Sequence, residues 1–360
     1  MVVIKFRGLL FVVLVSLFTL PAVYSQELLS NLQATGAADF VSTVYTSQED
    51  ERAFDLNVRS AEFMVSGSID HYFDGLINFA GHTEEGEFEL VLHEGYVSSS
   101  KLIPYSRFRV GKFFLGVGRL NQFHQHDWPF TDAPQAHNTF FAEEGVTDSG
   151  LEYTFLFPTT HFFELTAGVT RNYCYGHCHA DVAKPPRPLF YLHPVTFFEF
   201  SSQTGLQLGL SYLNRKDDAG IQTHLAGLDM TFKHRQGKRL VWLLQAEAYY
   251  QDQGSDSVDN IRQVGGYCLT QYGLSPSWLL GLRLDAFSEL SMKFQTTNQK
   301  RDDLDYAIVP IVTWKPSEFS TLRLSYTLDV DTTKGDKDTV DQLVQLQFNF
   351  ILGAHSAHDF

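Results

Sequence analysis

Two stretches of this chain carry side chains that could hold a metal ion. The first reads Asn121-Gln-Phe-His124-Gln-His126-Asp127-Trp128-Pro-Phe-Thr-Asp132-Ala-Pro134, followed by His137 and by Glu143-Glu144. A His-x-His pair offers two imidazoles to one ion if the chain turns there. Asp127 can add a carboxylate, either as a ligand or as the group that orients a ligating ring. The same stretch holds Phe123, Trp128, Phe130, Phe140 and Phe141, which could pack it against a wall and leave the histidines solvated or hydrogen-bonded. The second stretch is Tyr173-Cys174-Tyr-Gly-His177-Cys178-His179-Ala-Asp181. Thiolate with imidazole suits zinc or copper. In an oxidising compartment Cys174 and Cys178 could equally form a small disulfide that leaves His177 and His179 free. The third cysteine, Cys268, reads as a lone packed or lipid-facing thiol on a strand, and His82 and His93 as interfacial or lumen residues of hairpin strands. No nucleophile stands at a spacing diagnostic of catalysis, so an enzyme is not expected.

The elements around these stretches are strands. Leu206, Leu208, Leu210 and Tyr212 alternate with Gln207, Gly209 and Ser211, and Leu322, Leu324, Tyr326 and Leu328 with Arg323, Ser325, Thr327 and Asp329. Leu280, Leu282, Leu284 and Ala286 do the same against Gly281, Arg283 and Asp285. Period-2 patterning of this kind predicts strands over 38–46, 57–67, 75–83, 87–98, 105–114, 149–157, 161–171, 194–201, 204–213, 223–233, 239–251, 262–273, 277–288, 304–313, 319–329 and 342–352. No helical period is sustained, and no fixed repeat is present. The expected fold is an all-β, transmembrane antiparallel β-barrel of about sixteen strands, apolar side chains to lipid and polar ones to the lumen. The 31 Phe and 16 Tyr suit aromatic girdles at both interfaces.

Alternate connections differ in length. Ser47–Asp55, Phe114–Asp148, Asn172–His193, Glu289–Asp303 and Val330–Asp341 are long or acidic, whereas Phe157–Thr160, Ser202–Gly205 and Gly273–Pro276 are tight, as for outer loops and inner turns of a barrel. The amino-terminal Met1–Ser25 has Lys5, Arg7 and the apolar run Leu9–Leu20, which predicts a signal peptide over 1–25. A short periplasmic segment, 26–37, then leads into the barrel over 38–360, too short for a plug domain. A net charge of -15 speaks against nucleic acid as a partner. Acid concentrated in the outer loops would raise cation concentration at the mouth. On the lumen face, Arg107, Arg109, Glu247, Arg283, Asp285, Arg323 and Asp329 are the expected pore-lining charges, a mixture that leaves selectivity open.

The last strand alternates Val344, Leu346, Phe348, Phe350 and Leu352 and ends on Phe360. It resembles the closing strand of Gram-negative outer-membrane barrels, with Ser356 and His358 at positions usually apolar. The resemblance implies that Phe360 is the signal read by the barrel-assembly machinery, in a membrane of outer-membrane lipid and lipopolysaccharide. The layout as a whole resembles the porin superfamily, in particular phosphate-selective-porin-like barrels, although those carry basic ladders where this chain has acidic loops. The Asn121–Gly150 stretch resembles a His-rich group of porin-like proteins associated with zinc and related metal uptake. These resemblances imply a passive diffusion channel in a homotrimer, with a third loop folded into the lumen. No cofactor is required; the two stretches offer zinc or copper the ligands His124, His126, Asp127, His137, Cys174, His177, Cys178 and His179, and small solutes or metal ions are the expected partners. A metal-binding or adhesive surface barrel without appreciable channel activity is the alternative.

Overall fold

The computed structural model describes residues 32–45, 54–84, 87–172, 187–255, 260–294, 297–299, 304–332 and 339–353. The predicted signal peptide, the Cys174–His179 cluster and Phe360 with His355 and His358 lie outside the described residues. The described residues fold as one closed antiparallel sheet. Its first half comprises β1 (Leu32–Tyr45), β2 (Asp55–Ser68), β3 (Asp74–Glu84), β4 (Glu87–Ser99), β5 (Ser106–Phe114), β6 (Thr147–Leu156), β7 (Phe162–Thr170) and β8 (Leu189–Ser201). The second half comprises β9 (Thr204–Lys216), β10 (Gln222–Gln236), β11 (Arg239–Gly254), β12 (Ile261–Gly273) and β13 (Trp278–Phe294). It continues through β14 (Thr297–Gln299), β15 (Asp305–Ser317), β16 (Ser320–Asp331) and β17 (Thr339–Gly353). Of the seventeen strands, β14 is a three-residue extension paired with the tip of β13, which leaves sixteen that span the barrel. Each predicted strand has its counterpart among these sixteen. Several boundaries differ: β1 begins at Leu32, inside the predicted amino-terminal segment, because Thr35–Ala37 already pair with Ile351–Gly353, β8 begins at Leu189, before Pro194, and β13 runs on to Phe294.

Closure comes from β1, which pairs with β2 on one side and β17 on the other, and so removes the open edge that an unclosed sheet would present. Phe40 lies opposite Phe348 in that seam, and the Phe40 and Phe350 rings stack at 6.2 Å. On β17, Leu346, Phe348 and Leu352 face outward while Gln345, Gln347 and Asn349 are buried inward. The same alternation holds on β13, where Leu280, Leu282 and Leu284 are exposed and Arg283 and Asp285 buried. Outward aromatic residues form two girdles. Trp242, Tyr272, Trp278 and Trp314 mark the end with tight turns, and Tyr250, Tyr306 and Tyr326 the end with long connections. Trp242 and Tyr250 lie eight residues apart on one strand, as do Tyr306 and Trp314 on another. Eight residues span about 26 Å along a tilted strand, the scale of a membrane barrel's apolar band. No helix among the described residues is long and apolar enough to cross a membrane.

The inner face departs from the simple polar rule. Leu213, Leu225, Leu243, Leu269, Val309 and Ile311 point inward and are buried. They are buried because the connection between β5 and β6, hereafter L3, fills the lumen and packs on them.

Leu346, outward-facing and half exposed to lipid, gives a test of this orientation. Leu346→Arg should destabilise the barrel by about 2–4 kcal/mol, measured by denaturant titration of refolding into vesicles, whereas Gln345→Arg should not show that lipid-depth penalty.

Candidate functional site

L3 is irregular chain with little regular structure of its own. It contains single 3-10 turns at Leu120–Gln122 and Gln125–Asp127 and a short helix, α1 (Gln135–Phe141). Asn121 ties its two ends together, donating to the Leu115 carbonyl (2.8 Å) and accepting from the Val146 N–H (2.7 Å). Apolar side chains then fix it to the wall. Leu115, Val117, Phe140, Phe141 and Val146 pack with Leu189, Tyr191, Leu213, Leu225, Tyr249 and Phe287. Leu120, Trp128 and Phe130 pack with Leu243, Tyr267, Leu269, Val309 and Ile311. Gly118 allows the close approach on this side: its φ is +65°, and a Cβ there would lie 1.9 Å from the Tyr249 Oη.

Buried backbone groups need partners, and L3 has few within itself. The barrel wall supplies them. Carbonyls accept as follows: His126 from Asn349 (2.6 Å), Trp128 from Arg323 (3.0 Å), Pro129 from Gln271 (3.1 Å), Thr131 from Arg59 and Asp132 from Arg283 (2.5 Å). Amides donate in turn: Gly116 to Glu152 (3.2 Å), Gly118 to Ser211 (2.8 Å) and Leu120 to Glu247 (2.6 Å). These partners come from β2, β6, β9, β11, β12, β13, β16 and β17, so L3 is held from many sides of the lumen.

The tip of L3 carries the histidines into a cluster on β2, β3 and β4. His124 Nδ1 faces Glu62 Oε2 at 3.1 Å, and His124 Nε2 faces Glu94 Oε2 at 3.0 Å. His126 Nδ1 lies 3.0 Å from Glu62 Oε1, and its Nε2 lies 3.4 Å from Asp127 Oδ2. Asn78 donates to Glu62 (2.9 Å). His93 Nε2 is 3.4 Å from Glu144, which stands on the returning arm of L3. Burial disfavours a charged His124, but the adjoining carboxylates of Glu62 and Glu94 outweigh it and hold the imidazole well above its ordinary pKa. Burial likewise opposes charge on His126, and Glu62 and Asp127 raise its pKa.

Two β-bulges shape this region. The β3–β4 register jumps so that Asn78 faces Glu94 and Phe79 faces Leu92, leaving His93 as the extra residue. In a regular strand His93 and Glu94 would point to opposite faces; here both are buried on the lumen side. The β1–β2 register jumps in the same way at Arg59, between Ser60 and Val58. Arg59 thereby reaches Asp39 and the Thr131 carbonyl.

The expected metal residues separate. His124, His126 and Asp127 come together, while His137 does not join them. It lies on α1 against the Trp128 and Phe141 rings, 5.1 and 5.4 Å between centroids, with neither ring nitrogen hydrogen-bonded within the protein. Its partners are instead apolar, because α1 packs its inner face into the lumen. Cys174, His177, Cys178 and His179 fall outside the described residues, and Cys268 is a free, outward-facing thiol. Glu62, His93, Glu94 and Glu144 join the cluster without having been singled out by spacing. Most of the expected pore-lining charges hold structure. Arg109 pairs with Glu152 (2.8 Å), Arg283 with Asp285 (2.9 Å), and Glu247, Arg283 and Arg323 bind L3. Arg107 is exposed at the tight-turn end.

Charge is sorted along the axis. At the long-connection end Asp285, Asp329 and Asp341 fall in one cross-strand row, with Ala307 between the first two. At the opposite end a cavity of about 640 Å³ lies under L3. Arg119, Lys233, Arg235, Lys238, Lys315 and Arg323 line it, against the acids Asp127 and Glu318.

No family model matches the chain. It is 28% identical over 345 residues to an uncharacterized protein of Aquifex aeolicus (strain VF5), covering 86% of this chain and 71% of that one. Among solved structures, the outer membrane channel DcaP of Acinetobacter baumannii superposes with a TM-score of 0.63 at 10% identity, over 89% of this chain and 97% of that one. The anion-selective porin from Comamonas acidovorans gives 0.59 at 12% identity, over 89% and 99%. OmpT of Vibrio cholerae in its trimer form gives 0.58 at 10%, over 89% and 99%. The fold is that of the outer-membrane porins. At this identity the likeness extends to the barrel and not to the side chains at L3.

His137 makes the docking of L3 acid-sensitive. Burial lowers its pKa from 6.5 to about 3, so below pH 6.5 a released loop binds a proton that the docked loop excludes. The contribution of His137 to the docked state is therefore full above pH 6.5 and falls by about 1.4 kcal/mol per pH unit from there toward pH 3. The protection factors of residues 116–144, hydrogen-exchange rates divided into the intrinsic rate at each pH, should fall over that window in the wild type, and His137→Leu should flatten the response. Equal acid sensitivity in both would show that another group controls it.

Proposed function

We propose that this chain is a porin of a Gram-negative outer membrane, a passive channel for small hydrophilic solutes, in which the His-rich L3 favours divalent metal ions or their complexes. The observation that carries the reading is L3 itself, lying across a polar, closed barrel and contacting the wall through side chains. A sixteen-strand barrel is wide enough for an aqueous channel, and a loop across its lumen sets what passes. The acidic row at the outer end attracts cations, and the His–Glu cluster supplies ligands beside L3. Export by a signal peptide, assembly through Phe360, contact with lipopolysaccharide and a homotrimer belong to the same reading; the Vibrio OmpT barrel, similar in fold, has a trimer form.

The number of wall strands that bind L3 favours a second reading, a barrel whose lumen stays closed and which serves as a surface or metal-binding protein. Planar-bilayer recording separates the two. The channel reading expects discrete ion-conducting steps, and larger steps when residues 124–139 are replaced by a short Gly-Ser linker. Silence from the wild type together with steps from the shortened loop would point to the closed barrel; silence from both would remove the channel altogether. Reversal potentials with and without zinc then test the metal preference, which predicts a shift on adding zinc.

A further inference from the structure

The cluster at the tip of L3 has more order than an ion-pair network requires. Glu62 on β2, His93 on β4 and His124 on L3 each offer a ligand atom, and these atoms lie within 4.8 Å of one another. A cavity of about 10 Å³ lies among Ser60, Glu62, His93, Phe114, His124, Gln125 and Glu144, room for one small sphere. His124 Nδ1 is buried and 3.1 Å from Glu62 Oε2. Two ligands of one tetrahedral ion at about 2.05 Å stand about 3.3 Å apart, so this spacing already suits a shared metal.

The outer contacts fit as well. Glu94 sits 3.0 Å from the other ring nitrogen of His124, the carboxylate–histidine arrangement that fixes the tautomer of a ligating imidazole. His126 sits 3.0 Å from the second oxygen of Glu62 and orients that carboxylate. Two imidazoles and carboxylate oxygen, with no thiol, select a divalent ion of the zinc class.

We infer that Glu62, His93 and His124 form a site for one divalent zinc-class ion, with Glu144 placed to complete it, and that the ion fastens L3 to β2 and β4. The bound ion joins both arms of L3 to the wall, so metal occupancy regulates how firmly the loop bars the lumen. The regulatory part rests on the channel reading; the binding part does not.

The test uses the full-length barrel in a background where Cys174→Ser, His177→Ala, Cys178→Ser and His179→Ala remove the other candidate ligands. Calorimetric titration with Zn²⁺ alone should find one ion per barrel, and X-ray absorption should show nitrogen and oxygen ligands only. His93→Gln and Glu62→Gln should each weaken binding at least ten-fold, while His224→Ala, an outward-facing histidine, should leave it unchanged. Zn²⁺ should slow hydrogen exchange across residues 116–144 in the background protein and not in His93→Gln. No binding in the background, or binding by either glutamine variant as tight as by the background protein, would overturn the site. Binding without slowed exchange would overturn the fastening. Bilayer recording is the separate arm. Steps that Zn²⁺ diminishes in the background but not in His93→Gln support regulation, and steps indifferent to bound Zn²⁺ overturn it. A barrel that never conducts removes the channel reading, and with it the regulatory part, while titration and exchange still decide the site and the fastening.

Discussion

An irregular segment inside a barrel must find a partner for each buried backbone amide and carbonyl, and the rest of this structure follows from that requirement. L3 cannot meet it alone, having one helix of seven residues and two isolated turns. Arg59, Gln271, Arg283, Arg323 and Asn349 therefore reach in to its carbonyls, and Glu152, Ser211 and Glu247 to its amides. Side chains that would otherwise line open water are occupied in positioning a loop. The inward leucines of β9 to β12 have the same origin, since they give the loop's aromatic residues an apolar surface.

Such a loop is held without being built in covalently. Its contacts are hydrogen bonds and apolar packing spread over many strands, each of modest net worth because water competes when the loop is released. Removing one contact leaves a wall group buried beside an orphaned backbone group, which costs more than the contact was worth. The loop therefore tends to dock or release as a unit. A charge change at a buried point such as His137, or an ion joining both arms at Glu62 and His93, acts on a segment whose contacts are spread over many strands.

Much of this was legible in the sequence. Period-2 alternation located the spanning strands, because lipid imposes a rule on every outward position, and the alternation of connections set L3 as the third outer one. Inward positions obey no such rule, so the apolar inner faces of β10, β11 and β15 could not be anticipated without knowing what packs on them. Pro194 hid the start of β8: it reads as a strand breaker, yet Leu189, Tyr191 and His193 keep a regular inward alternation up to it. At the site, His124 and His126 were visible as a pair. Glu62 and Glu94 were ordinary strand residues, and His93, expected at an interfacial or lumen position, does face the lumen, but its joining Glu94 there could not be read from the pattern. Alternation sets neighbours on opposite faces, and only the bulge at Asn78/Phe79 turns both His93 and Glu94 inward.

Bulges that aim Arg59 and His93 at the same loop suggest how the two halves of the lumen are kept distinct. The acidic row of Asp285, Asp329 and Asp341 lies toward the long connections, and the cationic cavity bounded by Lys233, Arg235 and Lys315 lies toward the tight turns. Opposite fields so close together would partly cancel in open water. With L3 between them the intervening medium is a packed, low-dielectric layer, so each field acts on its own compartment. A cation entering from the acidic side meets imidazoles and carboxylates at L3 before it meets the positive cavity, and an anion approaching from the other side is concentrated there but meets L3 first. The loop is thus where the electrostatics of the two compartments are joined.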